Sequence, residues 1–207
     1  FPTWRALTSD GAVRTVRATG ARIGSKVGPF VNLDAPVVDL PIVDADDEPV
    51  SPVESALLHA LPAWYLLGAA EQALDLATVY ATERVQFGSP ISKYQGVAFP
   101  LADACSELQA LYELGLYTMH RVYSAPDAAS VDALAFRWSA LDIVRRVLRI
   151  THQVMGAVGQ CDEHDMPIIT LTLQARLRLP LDLEASLTAL ADTADRLGFD
   201  SIHTPVH

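Results

Sequence analysis

At Pro52 the chain changes its hydrophobic period, and that change narrows the folds open to it. Over residues 56–84 the sequence is dominated by Ala, Leu and Glu, with apolar residues three and four apart, the spacing of one helix face. Pro62 is expected either to kink this helix or to mark its start. A second helix is expected over residues 92–123, with Pro100 as an early irregularity, ending at the turn residues Ser124-Ala125-Pro126-Asp127. A third, over residues 128–158, places Leu134, Leu141, Val144, Leu148 and Met155 on one side and is expected to stop at Gly159. The last is a stripe of Leu183, Leu187, Leu190, Ala191, Ala194 and Leu197 between an Asp182 N-cap and Gly198. Three long amphipathic segments and a shorter one bury their faces against one another most simply as an antiparallel four-helix bundle.

Upstream of Pro52 the pattern is different. Val13-Arg14-Thr15-Val16-Arg17 and residues 37–43 alternate at period two between Gly and Pro, so residues 12–50 are expected to hold three or four strands. That is too little for an independent sheet covered on both faces. Residues 44–52, acidic and bounded by proline, read as a linker. The expected architecture is therefore mainly α: a partial β-domain over residues 1–51, then a helical bundle over residues 52–207. The chain starts at Phe1 rather than Met, and an N-terminal portion is expected to be missing.

Half of the 207 residues are hydrophobic, enough for a sizeable core, and 15 Lys and Arg against 25 Asp and Glu give a formal charge of -10. That balance opposes broad contact with a nucleic-acid backbone, although a local basic cluster could still hold a small phosphorylated ligand. No apolar run of membrane-spanning length and no signal peptide is evident. Cys105 and Cys161 read as free thiols, for which a reducing cytoplasm is the default. The run Asp162-Glu163-His164-Asp165 is better read as a solvated loop than as a metal site, because four consecutive side chains cannot all converge on one ion. His59, His120 and His152 have no partner spacing that suggests more than packing.

The most informative segment is Tyr80-Ala81-Thr82-Glu83-Arg84-Val85-Gln86-Phe87-Gly88-Ser89-Pro90-Ile91-Ser92-Lys93-Tyr94-Gln95, preceded by Leu67-Gly68-Ala69-Ala70-Glu71-Gln72-Ala73-Leu74-Asp75. It resembles the connection between the first two bundle helices of acyl-CoA dehydrogenases, which reads Arg-x-x-Phe-Gly-x-x-Ile and then an aromatic or His followed by Gln. Downstream, Gln153-Val154-Met155-Gly156-Ala157-Val158-Gly159 is similar to that family's Gln-x-x-Gly-Gly-x-Gly turn, with Ala157 in place of the second Gly. The resemblance implies an FAD site completed by helices of a neighbouring subunit in a dimer of dimers. Carried over by position, Arg84 and Gln86 would contact the FAD diphosphate, Phe87 would pack near the cofactor, and Tyr94 and Gln95 would lie near its adenosine. Gln153, Gly156 and Ala157 would form the second cofactor contact. A guanidinium suits this role physically, since it grips diphosphate oxygens bidentately and sits well at a helix C-terminus.

The resemblance leaves the catalytic base open. Family members place a glutamate either in a Tyr-Glu-Gly-Thr segment or on the first bundle helix. The first register falls on residues 181–184, where that segment is absent and Asp182 and Glu184 suit helix-start roles. The second falls on Leu58, one turn from Glu54. Three readings follow: an FAD-dependent acyl-CoA dehydrogenase, a base-less subunit completing the FAD site of a catalytic partner, or a non-enzymatic helical interaction module. The expected partners are an acyl-CoA substrate and a homo- or hetero-oligomer.

Overall fold

The computed structural model describes residues 3–7, 13–18, 22–24, 37–39, 42–46, 51–161 and 164–177. Among the described residues five strands precede the helices: β1 (Thr3–Leu7), β2 (Val13–Ala18), β3 (Arg22–Gly24), β4 (Val37–Asp39) and β5 (Ile42–Asp46). They form an antiparallel sheet in the order β1-β2-β5 and a separate β3-β4 ladder. Within the stretch expected to be strand over residues 37–43, β4 takes Val37–Asp39 and β5 begins at Ile42, and Leu40 and Pro41 lie outside the described residues. Asp44 and Asp46, expected in a linker, pair with Arg17 and Thr15 in β5.

Helix α1 (Pro52–Glu83) starts earlier than its apolar pattern, because Ser51 caps it. The Ser51 Oγ accepts from Glu54 N–H at 3.2 Å, and Glu54 Oε2 accepts from Ser51 N–H at 3.1 Å. This reciprocal box satisfies two helix-start donors, with Pro52 at the position where a missing N–H costs nothing. Pro62 neither starts nor ends the helix, which is assigned continuously across it. After a short hairpin of β6 (Val85–Gln86) and β7 (Ser89–Pro90) and a 3-10 turn at Ile91–Lys93, helix α2 (Gln95–Ser124) returns. Ala125 alone separates it from α3 (Pro126–Met155), which ends at Gly156 rather than Gly159 and continues as a 3-10 turn to Gln160. The fourth described helix, α4 (Asp165–Leu177), occupies a stretch for which no helix was expected; the stripe over residues 183–197 lies outside the described residues.

The core explains why three long helices fit together. The inner face of α1 is mostly alanine (Ala56, Ala60, Ala63, Ala70, Ala73, Ala77 and Ala81, all fully buried), meeting Ala133, Phe136, Ala140 and Val144 of α3 in one cluster. Small side chains allow close helix approach, and interdigitation replaces bulk as the source of contact. Trp64 of α1 joins the layers, edge-on to Phe136 of α3 at 5.5 Å and to Tyr112 of α2 at 5.6 Å. Gly115 lies beneath it, and a methyl there would meet the indole at 2.7 Å. At the rim, Arg121 bonds Asp132 at 3.0 Å and Arg146 bonds Glu107 at 3.1 Å, tying α2 to α3. Partly exposed pairs of this kind contribute roughly 0–1 kcal/mol each, far less than the core.

One contact fixes the direction of the helices. Ser130 Oγ donates to the Pro52 carbonyl at 3.4 Å, so α1 and α3 start at the same end and run the same way, with α2 reversed between them. At about 1.5 Å per residue, helices of 32 and 30 residues both end about 45–48 Å away. The α1–α2 connection and the Gln153–Ala157 segment, 70 residues apart in sequence, therefore share one end of the bundle.

Candidate cofactor site

At that end, the α1–α2 connection is a hydrogen-bonded hairpin with an exposed tip. Arg84 is the C-cap of α1, its N–H bonded to the Tyr80 carbonyl at 2.9 Å and its own carbonyl accepting from Ile91 N–H at 2.8 Å. Ile91 packs on the core, which anchors the returning strand. Between them the hairpin pairs Val85 with Pro90 and Gln86 with Ser89, and the reversal falls on Phe87 (φ 53) and Gly88 (φ 82). The Tyr94 hydroxyl donates to the Gln86 carbonyl at 2.9 Å, and the Phe87 and Tyr94 rings meet edge-on at 6.5 Å. Each position of the Arg-x-x-Phe-Gly-x-x-Ile pattern thus has a local duty: cap, reversal, glycine and anchor.

What that construction displays is polar and aromatic. Arg84, Gln86 and Gln95 are exposed, and Phe87 is 95 % exposed although it is a large apolar side chain. A non-glycine residue at positive φ costs on the order of 1–3 kcal/mol. Phe87 bears that strain while burying almost nothing within its own chain.

The second segment presents exposed Gln153, Gly156 and Ala157. Gly156 terminates α3 at φ 56, and no atom lies within 4 Å of where its Cβ would be, so a ligand could approach the backbone closely there. Gly159 has the opposite role. It is buried, and a Cβ would meet that of Met155 at 3.1 Å, so this glycine serves packing rather than ligand approach. Ala157 points outward, with its carbonyl accepting from Cys161 Sγ at 3.4 Å. Both free thiols are exposed.

Residues 59–179 match the C-terminal domain of acyl-CoA dehydrogenases, more than half of the chain. The chain belongs to the acyl-CoA dehydrogenase family. Members of that family are FAD flavoproteins. A short-chain specific acyl-CoA dehydrogenase of Megasphaera elsdenii is 35% identical over 98 residues, 47% of this chain and 25% of that protein. A 3-sulfinopropanoyl-CoA desulfinase of Paraburkholderia xenovorans is 34% identical over 112 residues, 54% of this chain and 28% of the relative. The solved butyryl-CoA dehydrogenase of Megasphaera elsdenii superposes with a TM-score of 0.64 at 26% identity, covering 70% of this chain and 38% of that one. The chain thus spans roughly a quarter of the length of these sequence relatives.

No group of histidines, cysteines and carboxylates among the described residues could hold a metal ion, and no described helix is long and apolar enough to cross a membrane. Glu54 is engaged in the Ser51 cap, and Leu58 is partly buried on α1. Asp182 and Glu184 lie outside the described residues, as do Asp162 and Glu163. His164, expected in a loop, uses its Nδ1 to accept from Met166 N–H at 3.1 Å at the start of α4. His152 also has more definite partners than its sequence setting suggested: Thr170 Oγ1 at 2.7 Å and Gln160 Nε2 at 3.1 Å. The groove those residues line was missed by sequence reading, although the i,i+4 row Arg145, Arg149, Gln153 was a visible signal.

Proposed function

We propose that this chain is the FAD-gripping helical half of an acyl-CoA dehydrogenase, in which the α1–α2 projection reaches into a cofactor site shared with another subunit. The single observation that carries the reading is Phe87. An aromatic ring 95 % exposed on strained backbone, beside an exposed guanidinium, is costly in isolation and gains its compensation when a ligand or neighbour covers it. In this reading Arg84 grips the diphosphate, Phe87 excludes water from it, and Tyr94 braces the hairpin through Gln86. Gln95 lies towards the adenosine. Gln153 and the open backbone at Gly156 and Ala157 supply the second contact from the same end of the bundle. When bound, FAD supplies the acceptor for the hydride that leaves the β-carbon of an acyl-CoA thioester. Residues 1–51 then correspond to part of the family's β-domain and residues 52–207 to its helical domain.

A second reading is favoured by a specific observation. The register at which some family members carry the base on the first helix falls on Leu58, and neighbouring Glu54 is occupied as a capping carboxylate. A subunit without its own base would complete the FAD site of a catalytic partner, and the projection serves both readings equally.

The test is FAD titration of the apo-protein, alone and with any co-purifying subunit. Arg84→Ala removes a charge-assisted contact of about 1.5–3 kcal/mol, a loss of roughly 10- to 150-fold in affinity. Arg84→Lys should recover part of it, since an ammonium lacks the planar fork. Equal binding by wild type and Arg84→Ala would remove the cofactor role.

A further inference from the structure

The contact that sets the direction of α1 and α3 also sets their register. Ser130 Oγ meets the Pro52 carbonyl across a sequence offset of 78 residues. His59 and Arg137 are separated by that same offset, and each lies about two turns further along its own helix, from Pro52 to His59 and from Ser130 to Arg137. The two side chains therefore stand at one level of the α1–α3 seam. Both are buried, Arg137 at 1 % exposure and His59 at 5 %.

A guanidinium keeps its charge wherever it is placed, so a buried one calls for a counter-charge and for acceptors on its N–H groups. Neither is found among the described residues: Nε and Nη1 of Arg137 and Nδ1 of His59 have no hydrogen-bond partner, and no described ion pair includes Arg137. One turn to either side of Arg137 stand Ala133, Leu134, Ala140 and Leu141, and beside His59 stand Ala56 and Ala63, all buried and all without an acceptor side chain. Burial first, and then the charge of Arg137, lower the His59 pKa to about 4, which leaves a neutral imidazole with an N–H to donate. An anion beside Arg137 cancels the second of these causes and leaves the first, so the imidazole stays neutral.

We propose that a small monovalent anion of the halide class, chloride in solution, is bound between α1 and α3 beside Arg137 and His59 as the counter-charge of the buried guanidinium. A water molecule could accept from the same N–H groups but brings no charge, and the unbalanced charge is the larger cost of burial. A spherical ion also fits a setting of alanine and leucine, since it asks for donors and offers none. The site is separate from the hairpin and the Gly156 turn, because His59 and Arg137 lie towards the starts of α1 and α3 and those segments lie at their ends.

Urea unfolding of the full chain, with any subunit that co-purifies, tests this when sodium chloride is replaced by sodium gluconate at neutral pH and equal ionic strength, so that screening is constant. Gluconate is too large for an enclosed site. The expected result is a higher midpoint in chloride, the folded-to-unfolded ratio rising about tenfold for each tenfold of chloride once the site is filled. Arg137→Met exchanges a buried charge for an apolar side chain, a change that is often neutral or stabilising, and should fold and lose the chloride dependence. Arg137→Lys keeps the charge and should retain part of it. Bromide-soaked crystals of the wild-type protein should show anomalous density beside Arg137 between α1 and α3. The proposal is overturned if chloride and gluconate give the same midpoint, or if Arg137→Met keeps the chloride dependence. A carboxylate, or water alone, beside the guanidinium in the bromide crystals would overturn it equally.

Discussion

At Phe87 a role in stability and the proposed role in binding can be told apart. Its ring touches little of its own chain, and its backbone sits where only glycine rests without strain. In Phe87→Gly the relief of strain and the added freedom of the unfolded chain oppose each other, each on the order of 1 kcal/mol. The urea midpoint of this variant is therefore expected to stay close to wild type while FAD affinity falls. A large loss of stability with affinity intact would make Phe87 structural. At this scale the sequence was informative wherever chemistry is carried by residue type: the arginine, the aromatic, the glycine of the reversal and the isoleucine anchor. It was silent on backbone conformation, so it could not say that Phe87 itself takes positive φ, or that Gly156 ends the helix while Gly159 fills a tight contact with Met155.

Between elements, the weakest point of an otherwise apolar contact is the α1–α3 interface near His59 and Arg137. Both are buried, and His59 Nδ1 and Arg137 Nε and Nη1 find no hydrogen-bond partner among the described residues. Burial, and then the charge of Arg137, lower the His59 pKa from 6.5 to about 4. Between those values the unfolded chain takes up a proton that the folded chain refuses. The folded state is accordingly favoured above pH 6.5 and loses that advantage as pH falls towards 4, by roughly 3 kcal/mol at the acid end. His59→Leu should flatten this part of the pH dependence of urea unfolding, and an unchanged slope would show that His59 is protonated in the fold. Helix periodicity made α1, α2 and α3 legible to within a few residues. Their ends were less so, because the Ser51–Glu54 cap extends α1 past its apolar pattern and Gly156 stops α3 early. The helix α4 was missed because Met166, Thr170 and Leu173, its buried positions, form a short and mixed stripe beside an acidic run. Strand β1 escaped notice for a similar reason, since Thr3–Leu7 is recognisable as a strand only through its pairing with β2.

For the whole molecule, the most exposed aromatic side chains among the described residues are unevenly placed. Phe87, Phe99, Tyr117 and Tyr123 are all more than half exposed on the hairpin and α2, an arrangement suited to association rather than to an isolated bundle. The two segments proposed to hold the cofactor come together at one bundle end through the parallel run of α1 and α3, a relation the sequence order of the motifs implied only through family resemblance. In the proposed function this end completes a flavin site shared with another subunit. Native mass measurement of the purified assembly tests it most directly. The expected result is an oligomer, of this chain alone or with a homologous subunit, that retains FAD and releases it when Arg84→Ala is introduced. A flavin-free monomer that takes up no FAD with any subunit it can be paired with would contradict it.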